Sequence, residues 1–530
     1  MVRALVVILL LVVVIVLPFA MRPKKSLLAD AQDTLVVITP HNEAIRSEFS
    51  RAFAAWHLAR TGRTVRVDWR MPGGTSEIAR YLKGEFFAAF GAHWQRLGHP
   101  WSAEAQAAFD NPSVSLPGDP ARDTPAQAAR RAFLGSDTGI GVDVLFGGGA
   151  YDFSAQASAG RLVDSGILRR HPEWFGEQGI PPEVSGETFF DPAGRWTGAA
   201  ISSFGICYNA DVIREMGVSP PLSWDDLGNP QFLNRIALAD PTKSGSAAKA
   251  FEMILQQQMQ ERLRDSRTGD ERSSVAEGWK EGLQLIQRVA ANARYFTDSA
   301  TNVPVDVAQG DAAAGMCIDF YGRAQSEAVQ KADSSRLHYF TPQAGSSVGV
   351  DPIGILRGAP HRKLAESFVD FVLSKEGQKL WNFRPGTPGG PVHYALRRLP
   401  IRKELYADEY APFRSDPGVF PYEDARGFVY HPGWTAPLFK TLGFVIRVAF
   451  LDPHDELVGA WKALMAAGFP PLATARFSDL SAVDYEAANE TIRPALADAN
   501  RLVEVRLAKQ LSDHFRRQYL EAQELAQQGK

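Results

Sequence analysis

Arg235–Leu255 reads RIALADPTKSGSAAKAFEMIL. The apolar run Ile236–Ala239 predicts a short buried strand, and Ala247, Ala248, Phe251, Ile254 and Leu255 recur at helical spacing. Between them lies Asp240-Pro241-Thr242-Lys243-Ser244-Gly245-Ser246, dense in turn formers and hydroxyls. A strand, a polar loop and a helix aim free backbone N–H groups and hydroxyls at one point. Ser246 is the expected N-cap. A single such connection is commonplace; this chain repeats it.

Thr34–Ile38 predicts a strand ending in Thr39-Pro40-His41-Asn42, and Val65–Trp69 a second ending in Gly73-Gly74-Thr75-Ser76. There Gly74 and Glu77 stand at N-cap and N3 spacing before Ile78, Tyr81 and Leu82. Val142–Phe146 runs into Gly147-Gly148-Gly149, which permits close backbone approach or a sharp turn. Trp196–Asn209 is a long strand-like run holding Ser202-Ser203, and Ala312–Ile318 ends in Asp319-Phe320-Tyr321. Val348–Ile355 is strand-like again, and Leu364, Phe368, Phe371 and Val372 mark a helix stopping at Gly377. Strands alternating with helices over the first 380 or so residues predict an α/β fold with mostly parallel sheet. Residues 84–137, rich in Ala, Pro and Gly, read as an insertion. After Pro400 the texture turns helical, with a period over Leu457–Ala466 and one long polar helix from about Asp484 to Gln528.

The 530 residues exceed one core. A net charge of −3 gives no basic surplus for nucleic acid. The two cysteines, Cys207 and Cys317, exclude a Cys-rich zinc site or a disulfide framework. Both sit in apolar runs, which favours buried thiols over a Cys207–Cys317 bridge. Ala4–Met21 is uncharged and apolar, a little short of the ~20 residues of a spanning helix. Ala29-Asp30-Ala31 follows with Ala-x-Ala spacing, so residues 1–31 read as a signal peptide or an N-terminal anchor. No later segment reads as long and apolar enough to span, Thr441–Leu451 being broken by Arg447.

In open α/β sheets, ligands bind outside the carboxyl ends of strands. The candidate ligand-binding residues are therefore Thr39, His41, Asn42, Gly74, Thr75, Ser76, Gly148, Gly149, Ser202, Ser203, Thr242, Ser244, Gly245, Ser246, Asp319, Tyr321 and Asp351. Hydroxyls and helix N-termini suit anions such as carboxylate or phosphate. No acid–base or nucleophile cluster accompanies them, which points to binding without chemistry and to no cofactor or metal. Lys243 and His41 could add charge, although such residues usually sit solvated at the surface.

Four longer segments carry a resemblance. They are SWDDLGNPQFLNRIALADPTKSGS (Ser223–Ser246), GICYNADVI (Gly205–Ile213), GMCIDFYGRAQ (Gly315–Gln325) and GAPHRKLAESFVDFVLSKEGQKLW (Gly358–Trp381). In these the chain resembles the extracellular solute-binding proteins of bacterial ABC importers, in the ferric-iron-binding-like branch, over roughly residues 33–400. The resemblance implies a two-lobed periplasmic-binding-protein type II fold with hinge crossovers near Ser202–Phe204 and Gly349–Ile355. Lobe one would comprise 32–203 and 352–400, lobe two 204–351, and 401–530 a helical extension packed on the lobes. It further implies an extracytoplasmic location, with the membrane met only through an uncleaved N-terminal segment. The partners would be a small solute and separate permease and ATPase chains. Ferric-iron binders of this branch carry adjacent tyrosines where this chain has Asp319-Phe320-Tyr321. A lone phenolate argues for an anionic organic solute over iron.

Two other readings compete. Gly345-Ser346-Ser347-Val348-Gly349 fits the Gly-x-Ser-x-Gly pattern of hydrolases, but that pattern needs strand, elbow and helix, and a strand-like run follows here. A ligand-sensing module reporting to a membrane receptor would share both fold and site.

Overall fold

A computed structural model describes residues 31–265, 270–331, 335–498 and 500–530. The signal or anchor segment expected over residues 1–31 lies, but for Ala31, outside the described residues.

Among the described residues eleven strands form the sheet that runs through both lobes. Besides the short Leu162–Val163 and Leu399–Pro400 they are β1 (Asp33–Ile38), β2 (Val65–Arg70), β3 (Val144–Phe146), β4 (Thr197–Asn209), β5 (Ile236–Ala239), β6 (Ala293–Thr297), β7 (Ala314–Ile318), β8 (Leu337–Phe340) and β9 (Val348–Leu356). In lobe one the order is β2-β1-β3-β9-β4, with β1, β2 and β3 parallel and β9 antiparallel to both β3 and β4. In lobe two β4 continues into the order β4-β7-β5-β6, with β5, β6 and β7 parallel, β4 antiparallel to β7, and β8 paired to β4. The sheets are thus mixed where a mostly parallel arrangement was expected. The two strands that serve the hinge run against their neighbours.

The helices that matter for the site are α1 (Glu43–Thr61), α2 (Thr75–Arg96), α3 (Ala150–Ala159), α4 (Gly245–Asp265), α5 (Glu271–Asn292), α6 (Asp319–Ala328), α7 (Arg362–Leu373), α8 (Lys375–Asn382), α9 (His454–Ala467) and α10 (Arg501–Gln527). The helix expected to stop at Gly377 is in fact two, because Ser374 ends α7 and its hydroxyl caps α8 by accepting from Gly377 N–H. α2 runs unbroken through residue 84, so the extra segment leaves from within a helix. Its Phe109 and Phe133 join Phe86 and Phe90 in the lobe-one core.

β4 is the pivot. Its Thr197–Ser203 half pairs with β9, and its Phe204–Asn209 half pairs with β7. One strand passes from pairing with β9 to pairing with β7 within a single peptide, Ser203–Phe204. The return lies earlier than expected: β9 belongs to lobe one from Val348 on, so the chain crosses back in the loop 341–347.

The extension shares one apolar core with lobe two, where Leu255, Trp279 and Ile286 meet Val445, Phe450, Leu464, Phe515 and Tyr519. The Trp279 indole donates to Val483 O at 3.0 Å and Gln287 to Phe477 O at 2.7 Å. Pro432–Leu451 is apolar enough over 20 residues to span a membrane by length and composition, contrary to the sequence reading. It is 67% buried in its most apolar stretch, packed in this core. The long helix expected from Asp484 to Gln528 breaks before α10, which starts on an Asn500 cap.

Candidate functional site

A cavity of about 720 Å3 opens between the lobes at the carboxyl ends of their parallel strands. The N-terminus of α2 and that of α4 face each other across it. A Cβ built on Gly245 would stand 2.9 Å from Thr75 Oγ1, and one on Gly74 3.5 Å from the Lys243 carbonyl. The lobes are therefore closed.

Of the seventeen residues singled out in the sequence, the cavity wall contains His41, Asn42, Gly74, Thr75, Gly148, Gly149, Ser202, Ser244, Gly245, Ser246, Tyr321 and Asp351. The other five lie outside it. Thr39 is buried, donating to Phe146 O at 2.6 Å and accepting from His41 N–H. Ser76 sits on α2 away from the lining. Ser203 Oγ shares a hydrogen bond with Thr341 Oγ1, and Thr242 gives both its N–H and its hydroxyl to Asp240. Asp319 is fully buried, accepting from Phe320 N–H at 2.8 Å and pairing with Arg323, so it orients the α6 terminus.

Local chemistry explains the walls. Ser244, not Ser246, caps α4: its Oγ accepts from Ala247 N–H at 3.3 Å and lies 3.1 Å from Ser246 Oγ. Ser246 is left in the first turn, facing the cavity. The triple glycine serves a histidine. Gly147 has φ +89, and a Cβ there would fall 2.5 Å from the His41 ring. His41 is consequently buried, not solvated as expected. Burial first and the nearby Arg398 second hold it well below its ordinary value, so it is neutral. Lys243 does sit at the exposed rim, tied to Asp298 at 2.5 Å.

Several of the residues that dominate the floor escaped the sequence reading. Arg398, 1% exposed, donates to Ser202 Oγ at 2.7 Å, pairs with Asp351, and approaches His41 Nε2 at 3.3 Å. Its Nε–H and the Nδ1 of His41 are buried without partners. Burial pushes the Asp351 carboxyl up, and Arg398 opposes that. Farther along, Lys249 lies between Glu187 at 2.9 Å and Glu252 at 2.8 Å, beneath the Tyr430 ring at 3.6 Å. Burial alone would lower its ammonium, yet the two carboxylates raise it above the ordinary lysine range. Asp152, at the third position of α3, is pushed by burial up to about 6 against the pull of the Gly149 N–H. Glu187 and Asp152 had no signal beyond an isolated acid. Lys249 and Glu252 did have one, a charged pair three apart on a helix otherwise read as apolar.

Ser347, centre of the Gly-x-Ser-x-Gly run, is fully buried, donates to Glu187 at 2.6 Å and leads into β9, so the nucleophile-elbow geometry is absent. Cys207 and Cys317 are buried free thiols. Among the described residues no three His, Cys, Asp or Glu side chains gather as a metal site.

Residues 141–403 match the family model described as bacterial extracellular solute-binding protein. An uncharacterized protein of Haemophilus influenzae is 27% identical over 245 residues, 45% of this chain and 60% of that protein. The phosphoglycerate transport regulatory protein PgtC of Salmonella typhimurium is 23% identical over 181 residues, 34% of this chain and 39% of that protein. The matches thus span less than two thirds of the length of these curated relatives. The solved periplasmic binding protein AfuA of Actinobacillus pleuropneumoniae, with exogenous fructose-6-phosphate bound, is 16% identical at a TM-score of 0.48, covering 81% of this chain and 98% of that one.

Proposed function

We propose that this chain is the solute-capturing component of an importer, closing its lobes on a small organic solute outside the cytoplasm and delivering it to a membrane permease driven by a separate ATPase. The observation that carries the reading is the closed cavity, lined on its floor by β4, which both lobes share, and by β9, and walled by helix N-termini from each lobe. Its size suits an organic molecule rather than a bare ion.

The solute carries an anionic group at one end. Two lobe-one helix N-termini bring their own acids, Glu77 on α2 and Asp152 on α3. α4 brings none in its first turn, offering Ser244, Gly245 and Ser246 instead. The unpartnered donors of Arg398 and His41 add to that preference, because a buried N–H without an acceptor costs ~1–3 kcal/mol. The excess carboxylate around Lys249 suits hydroxyl or ammonium donors on the opposite end. Mass spectrometry of whatever co-purifies with the native protein tests this, followed by thermal shifts with phosphate esters, phosphonates, carboxylates and diamines. A bound ligand raises the melting point by mass action. Stabilisation by Fe(III) alone would overturn the organic-anion reading.

A second reading, a sensory module reporting to a membrane receptor, is favoured by the Salmonella relative, whose name marks it as a transport regulatory protein. Capture of the ligand-loaded chain by a permease separates transport from sensing.

A further inference from the structure

The C-terminal extension touches the cavity. Tyr430, Pro432, Ala436 and Phe439 line one side of it. They lie beyond residue 403, outside the family match. The segment from 429 to 435 is bonded along one stripe of α4, whose Glu252, Gln256 and Gln260 stand four residues apart. Val429 N–H donates to Gln260, His431 N–H to Gln256, and Gln256 in turn to the His431 carbonyl at 2.9 Å. The Tyr430 hydroxyl donates to Glu252 at 2.8 Å, as does the Thr435 hydroxyl at 2.5 Å. This side is lobe two.

The same segment also grips the short hairpin Glu183–Thr188, which leads into β4 from the lobe-one side. Tyr430 N–H donates to the Ser185 carbonyl at 2.7 Å, and Ser185 Oγ donates to the Ala425 carbonyl at 2.9 Å. Gly186, at φ +81, lies so close that a Cβ would fall 1.8 Å from the Tyr430 carbonyl oxygen. Farther on, the Phe439 ring meets Tyr151 of α3 at 4.8 Å. Glu187 of the hairpin reaches Lys249 of α4 directly.

We propose that residues 425–439 form a strap that holds the two lobes together along one side, closes that side of the cavity as a third wall, and leaves the Lys243–Asp298 rim as the entrance. Through this strap the extension sets which solutes fit. Pro432, Ala436 and Phe439 present a face with no side-chain hydrogen-bonding group, while the one Tyr430 hydroxyl is already spent on Glu252. The proposal is independent of the solute's identity, because the strap's bonds are all within the chain.

The test measures lobe separation without any ligand. Lys83 on α2 and Glu215 in the helix Ala210–Met216 are exposed, and the two native cysteines are buried. The full-length Lys83→Cys/Glu215→Cys chain, dialysed free of small molecules and spin-labelled, should give one narrow distance. Gly186→Ala, which pries the strap from the hairpin, should add a second population at changed separation. Tyr430→Phe, which removes only the hydroxyl on Glu252, should broaden the distribution in the same sense to a smaller degree. A parent chain already spread over open and closed distances overturns the strap. So does an unchanged distribution in a folded Gly186→Ala, or, should that variant fail to fold, in Tyr430→Phe.

Discussion

The guanidinium of Arg398 lies 4.2 Å from the centre of the Phe320 ring. The arginine immediately precedes Leu399–Pro400, which pair with the lobe-one half of β4, and the phenylalanine belongs to the first turn of α6 in lobe two. On its other side Arg398 meets Trp381 of α8 at 5.5 Å. One cation is thus packed against both lobes while it bonds Ser202 on β4 and Asp351 on β9.

Arg398→Gln removes the cation and leaves Asp351 facing the interior. Breaking a buried pair in this way costs ~3–5 kcal/mol, which should appear as a lower urea midpoint. The double variant Arg398→Gln/Asp351→Asn should recover part of that loss. Equal midpoints for the single and double variants would show that the pair is not coupled.

Ser246→Ala should weaken solute binding with little change in stability. A hydrogen bond to a charged ligand is worth ~1.5–3 kcal/mol, so affinity should fall roughly ten- to hundredfold. Ser244→Ala should do the same and also lose ~1 kcal/mol of stability, because it strips the cap of α4. Titration of the co-purifying solute, alongside urea unfolding, separates the two effects.

His41 should make the folded state acid-sensitive. Its folded value lies well below the ordinary 6.5, so the unfolded chain takes up a proton that the folded chain refuses. Stability therefore falls as pH drops below about 6.5. His431 and His454 are also held low by burial and share the slope. His41→Gln should remove its own share, read as a shallower loss of melting temperature between pH 6.5 and pH 5.

Asp152 acts in the opposite sense. Its folded value of about 6 against the ordinary 3.8 means that the folded chain keeps a proton which the unfolded chain has lost. Its contribution is greatest below pH 3.8 and is lost as pH rises to about 6. Asp152→Asn should tilt the stability profile upward with pH across that window. A profile unchanged in both variants would place these groups in ordinary solvent.

The strand–loop–helix of residues 235–255 was legible because its period and its turn residues act locally. The hydroxyls of Ser244 and Ser246 fell at the cavity for the same reason. Arg398 was not legible: its partners Ser202 and Asp351 stand 196 and 47 residues away, and no spacing announces them. Lys249 pairs with Glu252 three residues on, a pattern usual for solvated helix faces, and only the fold brings Glu187 to its other side. Thr39, Ser203 and Thr242 misled because strand-end hydroxyls serve the backbone as readily as a ligand. The mixed sheet was missed since the apolar run of β4 carries no sign of direction. The cap of α4 was misplaced by two residues, within the usual uncertainty of helix ends.

β4 constrains how the molecule can move. Pairing holds it on the lobe-one side through Ser203 and on the lobe-two side from Phe204. Phe204 N–H is itself held by Ser346 Oγ at 3.1 Å, in the returning loop. Within the two sheet crossings, the torsions able to absorb a change of angle are those about the Ser203–Phe204 peptide and those of residues 341–347, and the bonds of residues 425–439 resist that change from the side. Closure is then a twist about an axis through that peptide rather than a slide of one sheet over the other, and the shared strand works as a torsion bar whose rest position the Ser346 hydroxyl helps to fix.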